Sequence, residues 1–396
     1  MRVFLSLLLL TVTLCAFTQN YSIGHRQLAW ADASRDNRPV KFEVYYPATN
    51  TGDNVPVINN GKKFPLIVFG HGYQLTYTDY KWLKDSLVTK GFFLVFPRTE
   101  EQLFPSHTDF AKDYAFIINR FHTTKTNSAV WYYNRIKNKY AVGGHSMGGG
   151  CSMLSVQYSS NIAAVFNLAA AETNPSAIAA CSSIAIPALV FAGKKDCISP
   201  PASNQLPMYN KIQNNCKTYV LITEARHCHW SNNGSCRGGE IFCSPRTVPP
   251  GETLAITCSL LQPWLDDKLN GNNAAATNFQ NILASANGFT YQQNCAANNV
   301  VADVADVGIN SAAKAIKLYP SRARAGYVIN ISMPELQSKS RLQIYNQSGK
   351  PVYTKIITSS KNRQPEQIST ANFQKGIYFI LITDEDNQYK NTFVIE

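Results

Sequence analysis

The chain has 396 residues, a formal net charge of +12 and ten cysteines, and 45% of its residues are hydrophobic. That content excludes a disordered polymer and leaves room for more than one domain. The basic excess includes no Lys/Arg run with interleaved aromatics, which argues against a nucleic-acid binder and for a solvated basic face.

Residues 1–18 open with Met1 and Arg2, continue as an apolar run to Phe17 and leave through small residues near Ala16. This reads as a secretory signal peptide, too short for a membrane span. Leu14 precedes Cys15, where a lipoprotein signal wants Gly, Ala or Ser, so lipidation is not expected. No later stretch is long and apolar enough to span a bilayer. Nine cysteines follow the leader, all between Cys151 and Cys295, and in an exported chain they predict several disulfides with an odd thiol left over.

Residues 19–297 alternate apolar runs with amphipathic segments. Strands are predicted at 64–70, 92–97, 140–144, 162–168, 186–193 and 217–223. Helices are predicted at 80–90, stopping at Gly91, at 108–120 and at 254–268. Alternating β and α predicts a mainly parallel sheet covered on both faces, with a site at the carboxyl ends of its strands. Residues 298–315, rich in Ala and Asn, read as a linker. Residues 316–396 change period: short alternating runs at 327–331, 341–345, 351–357, 376–382 and 391–395, with a turn cluster at 346–350, predict a small all-β sandwich.

Gly144-His145-Ser146-Met147-Gly148 follows the run at 140–144. A strand, a sharp turn carrying serine and then a helix make a nucleophile elbow, with glycines where a Cβ would clash. A nucleophilic serine needs a base, and the base needs an acid to fix its tautomer. In this architecture the order is Ser, then Asp or Glu, then His. Asp196 follows the strand at 186–193 and His227 follows the strand at 217–223, which predicts a Ser146–His227–Asp196 triad. Glu172 is an alternative acid and His229 an alternative base. His227-Cys-His229 is a weak metal signal without a third ligand in reach, and no metal is expected. Gly70-His71-Gly72-Tyr73 leaves the first long strand, so the backbone N–H groups of Tyr73 and Met147 are the expected oxyanion donors, with His71 bracing that loop. His145, beside the nucleophile, and Trp230, near the base, are expected to line a substrate cleft. Cys197 and Cys228 adjoin the acid and the base, which suggests a Cys197–Cys228 bridge. A Cys181–Cys216 bridge is suggested at the opposite end of the sheet, with Cys151 left free behind the nucleophile.

Gly144–Gly150, Gly72-Tyr73, the Asp196 turn and the His227-Cys228 exit resemble the α/β-hydrolase branch that holds chlorophyllase-like, dienelactone-hydrolase-like and polyester-hydrolase (cutinase or PET-hydrolase-like) enzymes. The resemblance covers residues 21–295. It implies the α/β-hydrolase fold and a serine esterase with an open cleft, no cofactor and a small ester or a polyester as substrate. Residues 169–174 lack the tryptophan with which polyester hydrolases clamp an aromatic unit, and residues 228–244 form an extra loop with two further cysteines. Leu318-Tyr-Pro320, residues 342–349 with Val352, and residues 373–380 resemble the type IX secretion sorting domain of Bacteroidetes. This implies passage through the periplasm, engagement of that secretion machinery, and release or attachment at the cell surface. A monomeric, secreted serine carboxylesterase is therefore expected. A thioesterase, peptidase or lipase on the same triad, or a non-catalytic surface binding protein, are the alternatives.

Overall fold

The computed structural model describes residues 20–214, 216–232, 236, 240, 243, 249–286 and 288–295. In the C-terminal part it describes 317–319, 322–324, 326–332, 340–346, 351–357, 365–383 and 388–395. The expected leader (1–18), the expected linker (298–315) and most of the turn at 346–350 lie outside the described residues. The chain forms two compact units, Met1–Ala276 with Tyr291–Cys295, and Thr277–Thr290 with Ala296–Glu396.

The first unit is built on a ten-stranded sheet. In chain order its strands are β1 (Ser22–Asp32), β2 (Arg38–Ala48), β3 (Gly52–Asp53), β4 (Phe64–Gly70), β5 (Phe93–Pro97), β6 (Ile136–Gly144), β7 (Ile162–Leu168), β8 (Ala188–Gly193), β9 (Cys216–Ile222) and β10 (Phe289–Cys295). Across the sheet the order is β10-β9-β8-β7-β6-β4-β5-β2-β1-β3. From β5 through β4 and β6 to β9 every pairing is parallel. Parallel strands are covered on both faces, so they read as unbroken apolar runs; all seven residues of β4 and all six of β8 are buried.

The other half of the sheet departs from simple alternation. β1 and β2 form a long antiparallel hairpin registered from Ser22↔Ala48 to Asp32↔Arg38, and β2 runs antiparallel to β5. Asp36 and Asn37 carry positive φ at the turn, a region that short polar side chains tolerate. The alternation of half-buried positions in β1 marks a face exposed to solvent, unlike β4.

The helices are α1 (Lys81–Leu87), α2 (His107–Thr124), α3 (Met147–Ser155), α4 (Ala177–Ala180), α5 (Gln205–Lys211), α6 (Pro250–Leu265) and α7 (Asn273–Ser285). α2 is capped by Ser106, whose Oγ accepts the Asp109 N–H at 3.2 Å. It buries Phe110, Tyr114, Ile117, Ile118 and Phe121, one stripe at helical spacing. The predicted helix at 80–90 is α1 flanked by 3₁₀ turns, ended by Gly91 at φ 93°. The predicted helix at 254–268 begins earlier, at Pro250, because a first-turn proline loses no intrahelical hydrogen bond.

The second unit holds two small sheets. β11 (Lys317–Tyr319), β13 (Val328–Ser332) and β16 (Glu366–Ser369) form one in the order β11-β13-β16. β12 (Arg322–Ala323), β14 (Ser340–Asn346), β15 (Pro351–Ile357), β17 (Gly376–Thr383) and β18 (Gln388–Ile395) form the other, in the order β12-β18-β17-β14-β15. The pairings are antiparallel except β12 with β18. Alternate residues of both sheets, among them Ile329, Ile331, Leu342, Ile344, Ile368 and Ile380, share one core.

Candidate active site

Ser146 lies between β6 and α3 at φ 55°, ψ −120°, a conformation rarely held by an L-residue and sustained only where the surroundings over-determine it. Three hydrogen bonds do so. The His145 N–H donates to Gly70 O (3.1 Å), the Ser146 N–H to Leu168 O (3.0 Å), and the Ala171 N–H to Ser146 O (2.9 Å). They tie the turn to the exits of β4 and β7, the strands on either side of β6. A Cβ on Gly144 would lie 2.2 Å from the Gly148 carbonyl, and one on Gly148 only 2.3 Å from Gly70 O. Both obstacles are backbone, so only glycine lets α3 leave the strand at this angle.

Asp196 follows β8 in a turn closed by its own N–H on Gly193 O. Its buried Oδ1 accepts the N–H groups of Ile198 (2.9 Å) and Ser199 (2.8 Å). Its Oδ2 accepts from His227 Nδ1 at 2.8 Å. His227 begins the 3₁₀ turn His227–Trp230 beyond β9, and its Nε2 lies 2.8 Å from Ser146 Oγ. A carboxylate only accepts, so the proton belongs on Nδ1 and the Nε2 lone pair faces the serine hydroxyl. Ser146, His227 and Asp196, distant in sequence, are thus brought into one hydrogen-bonded line.

Two alternatives are not in that line. The Glu172 carboxylate is exposed and accepts from Ser176 Oγ and the Ile178 N–H, capping α4. His229 is buried, with Nδ1 against Thr253 Oγ1 of α6 at 2.9 Å. His71 contacts the Gly72 and Thr99 carbonyls through its two ring nitrogens, bracing the loop after β4. Among the described residues no group of three His, Cys, Asp or Glu forms a metal cluster.

Met147 is the first residue of α3, where a helix N–H has no carbonyl four residues back and the dipole favours negative charge. Tyr73 stands in the loop after β4. Its half-exposed ring donates through Oη to Leu103 O at 2.9 Å. Beside that bond, Leu103 is 56% and Phe104 86% exposed, an apolar shelf next to the loop. The shelf is anchored by buried Glu100, which pairs with Arg38 at 2.6 Å and accepts from Gln102 at 2.7 Å.

The expected cleft residues are corrected. His145 is fully buried, with Nδ1 3.0 Å from Tyr80 Oη and Nε2 2.9 Å from His227 O. Trp230 is also fully buried, donating from Nε1 to Thr257 Oγ1 of α6 at 2.8 Å. Neither lines an open cleft, because each is turned inward by a buried polar partner.

The expected disulfides are corrected too. Cys197 pairs with Cys243, Cys228 with Cys236, and Cys216, at the start of β9, with Cys295, at the end of β10. The loops carrying Asp196 and His227 are each tied to the extra loop rather than to one another. Cys151 is free, as expected, and so are Cys181 and Cys258. Burial raises all three thiols, Cys181 to about 12, which suppresses the thiolate that disulfide exchange requires. Glu240 of the extra loop is a residue that sequence reasoning missed. Buried next to the His227-Cys228 turn, it accepts the Cys228 N–H at 2.9 Å and pairs with buried Arg226 at 3.7 Å.

Residues 40–242, just over half of the chain, match the PET hydrolase-like family. The chain belongs to that family. It is 27% identical over 189 residues to cutinase est1 of Thermobifida alba, an alignment that covers 46% of this chain and 56% of that protein. The chain thus spans little more than half the length of this relative. Residues 317–396 match the secretion system C-terminal sorting domain. This PET hydrolase-like protein carries a type IX sorting tail and is therefore secreted or attached at the cell surface. Among the described residues no helix is long and apolar enough to cross a membrane.

Proposed function

We propose that the protein is a serine carboxylic-ester hydrolase working through an acyl-enzyme. The observation that carries this reading is the continuous line Ser146 Oγ–His227 Nε2, His227 Nδ1–Asp196 Oδ2, with both distances 2.8 Å. His227 Nε2 takes the Ser146 proton as Oγ attacks the ester carbonyl carbon. The carbonyl π electrons move to oxygen, and the Met147 and Tyr73 backbone N–H groups receive that oxyanion. One such donor lowers the barrier by about 3 kcal/mol. Collapse expels the alkoxide, which His227 protonates, leaving the acyl group on Ser146. Water then gives its proton to His227 and attacks the acyl carbon; collapse breaks the acyl–Oγ bond, His227 returns the proton to Ser146 Oγ, and the carboxylic acid leaves. Asp196, fixed by two backbone N–H groups, orients the imidazole throughout.

The catalytic domain is assigned to residues 19–297, joined by a 298–315 linker to the sorting domain at 316–396. Family membership and the relation to a cutinase favour an ester over a peptide or thioester. The exposed Leu103–Phe104 shelf favours a substrate with an extended apolar surface, such as a polyester.

The test is hydrolysis of a p-nitrophenyl ester series and of a polyester film by the purified protein beside Ser146→Ala. Turnover should fall in the variant by about 10⁵-fold or more, with folding intact. A folded variant that keeps wild-type turnover would sink the mechanism.

A further inference from the structure

His145 does not touch the substrate side, yet its imidazole meets three segments of the site. Its backbone precedes Ser146, its Nε2 lies 2.9 Å from the His227 carbonyl, and its Nδ1 lies 3.0 Å from Tyr80 Oη. Tyr80 Oη in turn lies 2.8 Å from the Gly72 nitrogen, and Gly72 adjoins Tyr73. Tyr80 and His145 are both fully buried, with Tyr80 packed against Phe69 at 5.1 Å between ring centroids.

The partners fix every proton. The His227 carbonyl only accepts, so His145 carries its hydrogen on Nε2. Burial, with the neighbouring His227 adding to it, holds His145 well below the ordinary histidine range, so the ring is neutral and Nδ1 accepts. Tyr80 O–H is therefore the donor to Nδ1. Burial likewise keeps that phenol protonated. The Tyr80 oxygen is left to accept from the Gly72 N–H. The chain Gly72 N–H → Tyr80 O–H → His145 Nδ1, Nε2–H → His227 C=O runs in one direction, and each group in it has a partner.

We propose that Tyr80 and His145 are positioning residues whose one-way hydrogen-bond relay holds the Tyr73 loop and the His227 backbone in register with Ser146. This rests on the esterase reading, since it concerns where the oxyanion donor and the base stand. Substrate contact plays no part in it. A fully connected buried network admits one arrangement, because reversing any member leaves a buried donor or acceptor unpaired.

Two experiments test the relay, and the first needs no activity. ¹⁵N NMR of imidazole-labelled protein should show His145 as the neutral Nε2–H tautomer between pH 6 and 8. An Nδ1–H tautomer, or a ring that titrates in that range, would overturn the relay. The second is kinetic. Tyr80→Phe keeps the ring and removes the hydroxyl, and should lower kcat on p-nitrophenyl acetate about tenfold to a hundredfold with KM within about twofold. His145→Gln, whose amide nitrogen reaches the Nε2 position, should retain about tenfold more kcat than His145→Leu. Wild-type kcat in folded Tyr80→Phe, or equal kcat in folded His145→Gln and His145→Leu, would overturn it. A wild-type protein inactive on every ester would instead count against the esterase reading, and the tautomer would still decide the relay.

Discussion

The Ser146 turn and the Asp196 and His227 loops are held in place by different means. Ser146 leaves β6 near the middle of the sheet, flanked by β4 and β7, and is held by backbone hydrogen bonds and glycine close contacts, with no crosslink. Asp196 and His227 leave β8 and β9, toward one edge, where fewer neighbours confine a loop. There the chain adds Cys197–Cys243, Cys228–Cys236 and the buried Glu240–Arg226 pair. Central placement supplies rigidity through packing, while peripheral placement needs covalent and ionic ties.

That contrast is most severely tested at the elbow. Gly148→Val puts carbon where Gly70 O stands, and should destabilise the protein by about 4 kcal/mol, measured by urea unfolding. A variant that unfolds at the wild-type midpoint would mean that the turn is not confined by contact. A loss of at most about 4 kcal/mol is expected from the paired Cys197→Ser/Cys243→Ser variant, whose bridge spans 46 residues. Turnover should fall with it, because Asp196 adjoins the lost bridge; unchanged kcat would show that the crosslink serves stability alone. The smallest effect is on pH. His145 is depressed by burial from an ordinary value of 6.5, so the folded state holds this ring neutral while the unfolded chain takes up a proton. Its contribution is present above about pH 6.5 and is lost on acidification, by about 1.4 kcal/mol per pH unit at most. Denaturation midpoints of wild type and His145→Gln should therefore keep a constant gap above pH 6.5 that narrows as the pH falls below it. Parallel profiles would remove His145 from the acid limb.

What was legible in the sequence follows the same division. The Ser146 turn was visible because its requirements are local: glycines, a preceding apolar run and a following helix. Asp196 and His227 were visible because parallel strands announce themselves as apolar runs, and the sheet places their exits on one edge. The β1–β2 hairpin left a weaker trace, since its half-exposed strands mix polar and apolar residues. Disulfide partners were not legible. Adjacency to the acid and base suggested joining Cys197 to Cys228, whereas both turn to the extra loop, a choice made by three-dimensional path rather than spacing. His145 and Trp230 misled for a related reason: nearness in sequence to a reactive side chain says nothing about direction, and both rings point into the core.

The ties on the acid and base loops also carry a consequence in time. Cys197 cannot find its partner until Cys243 has been synthesised, and neither bridge persists in a reducing cytoplasm. A chain that has not yet been exported lacks the fasteners beside Asp196 and His227. Those two fasteners are therefore added only after departure, once the loops beside Asp196 and His227 reach an oxidising compartment.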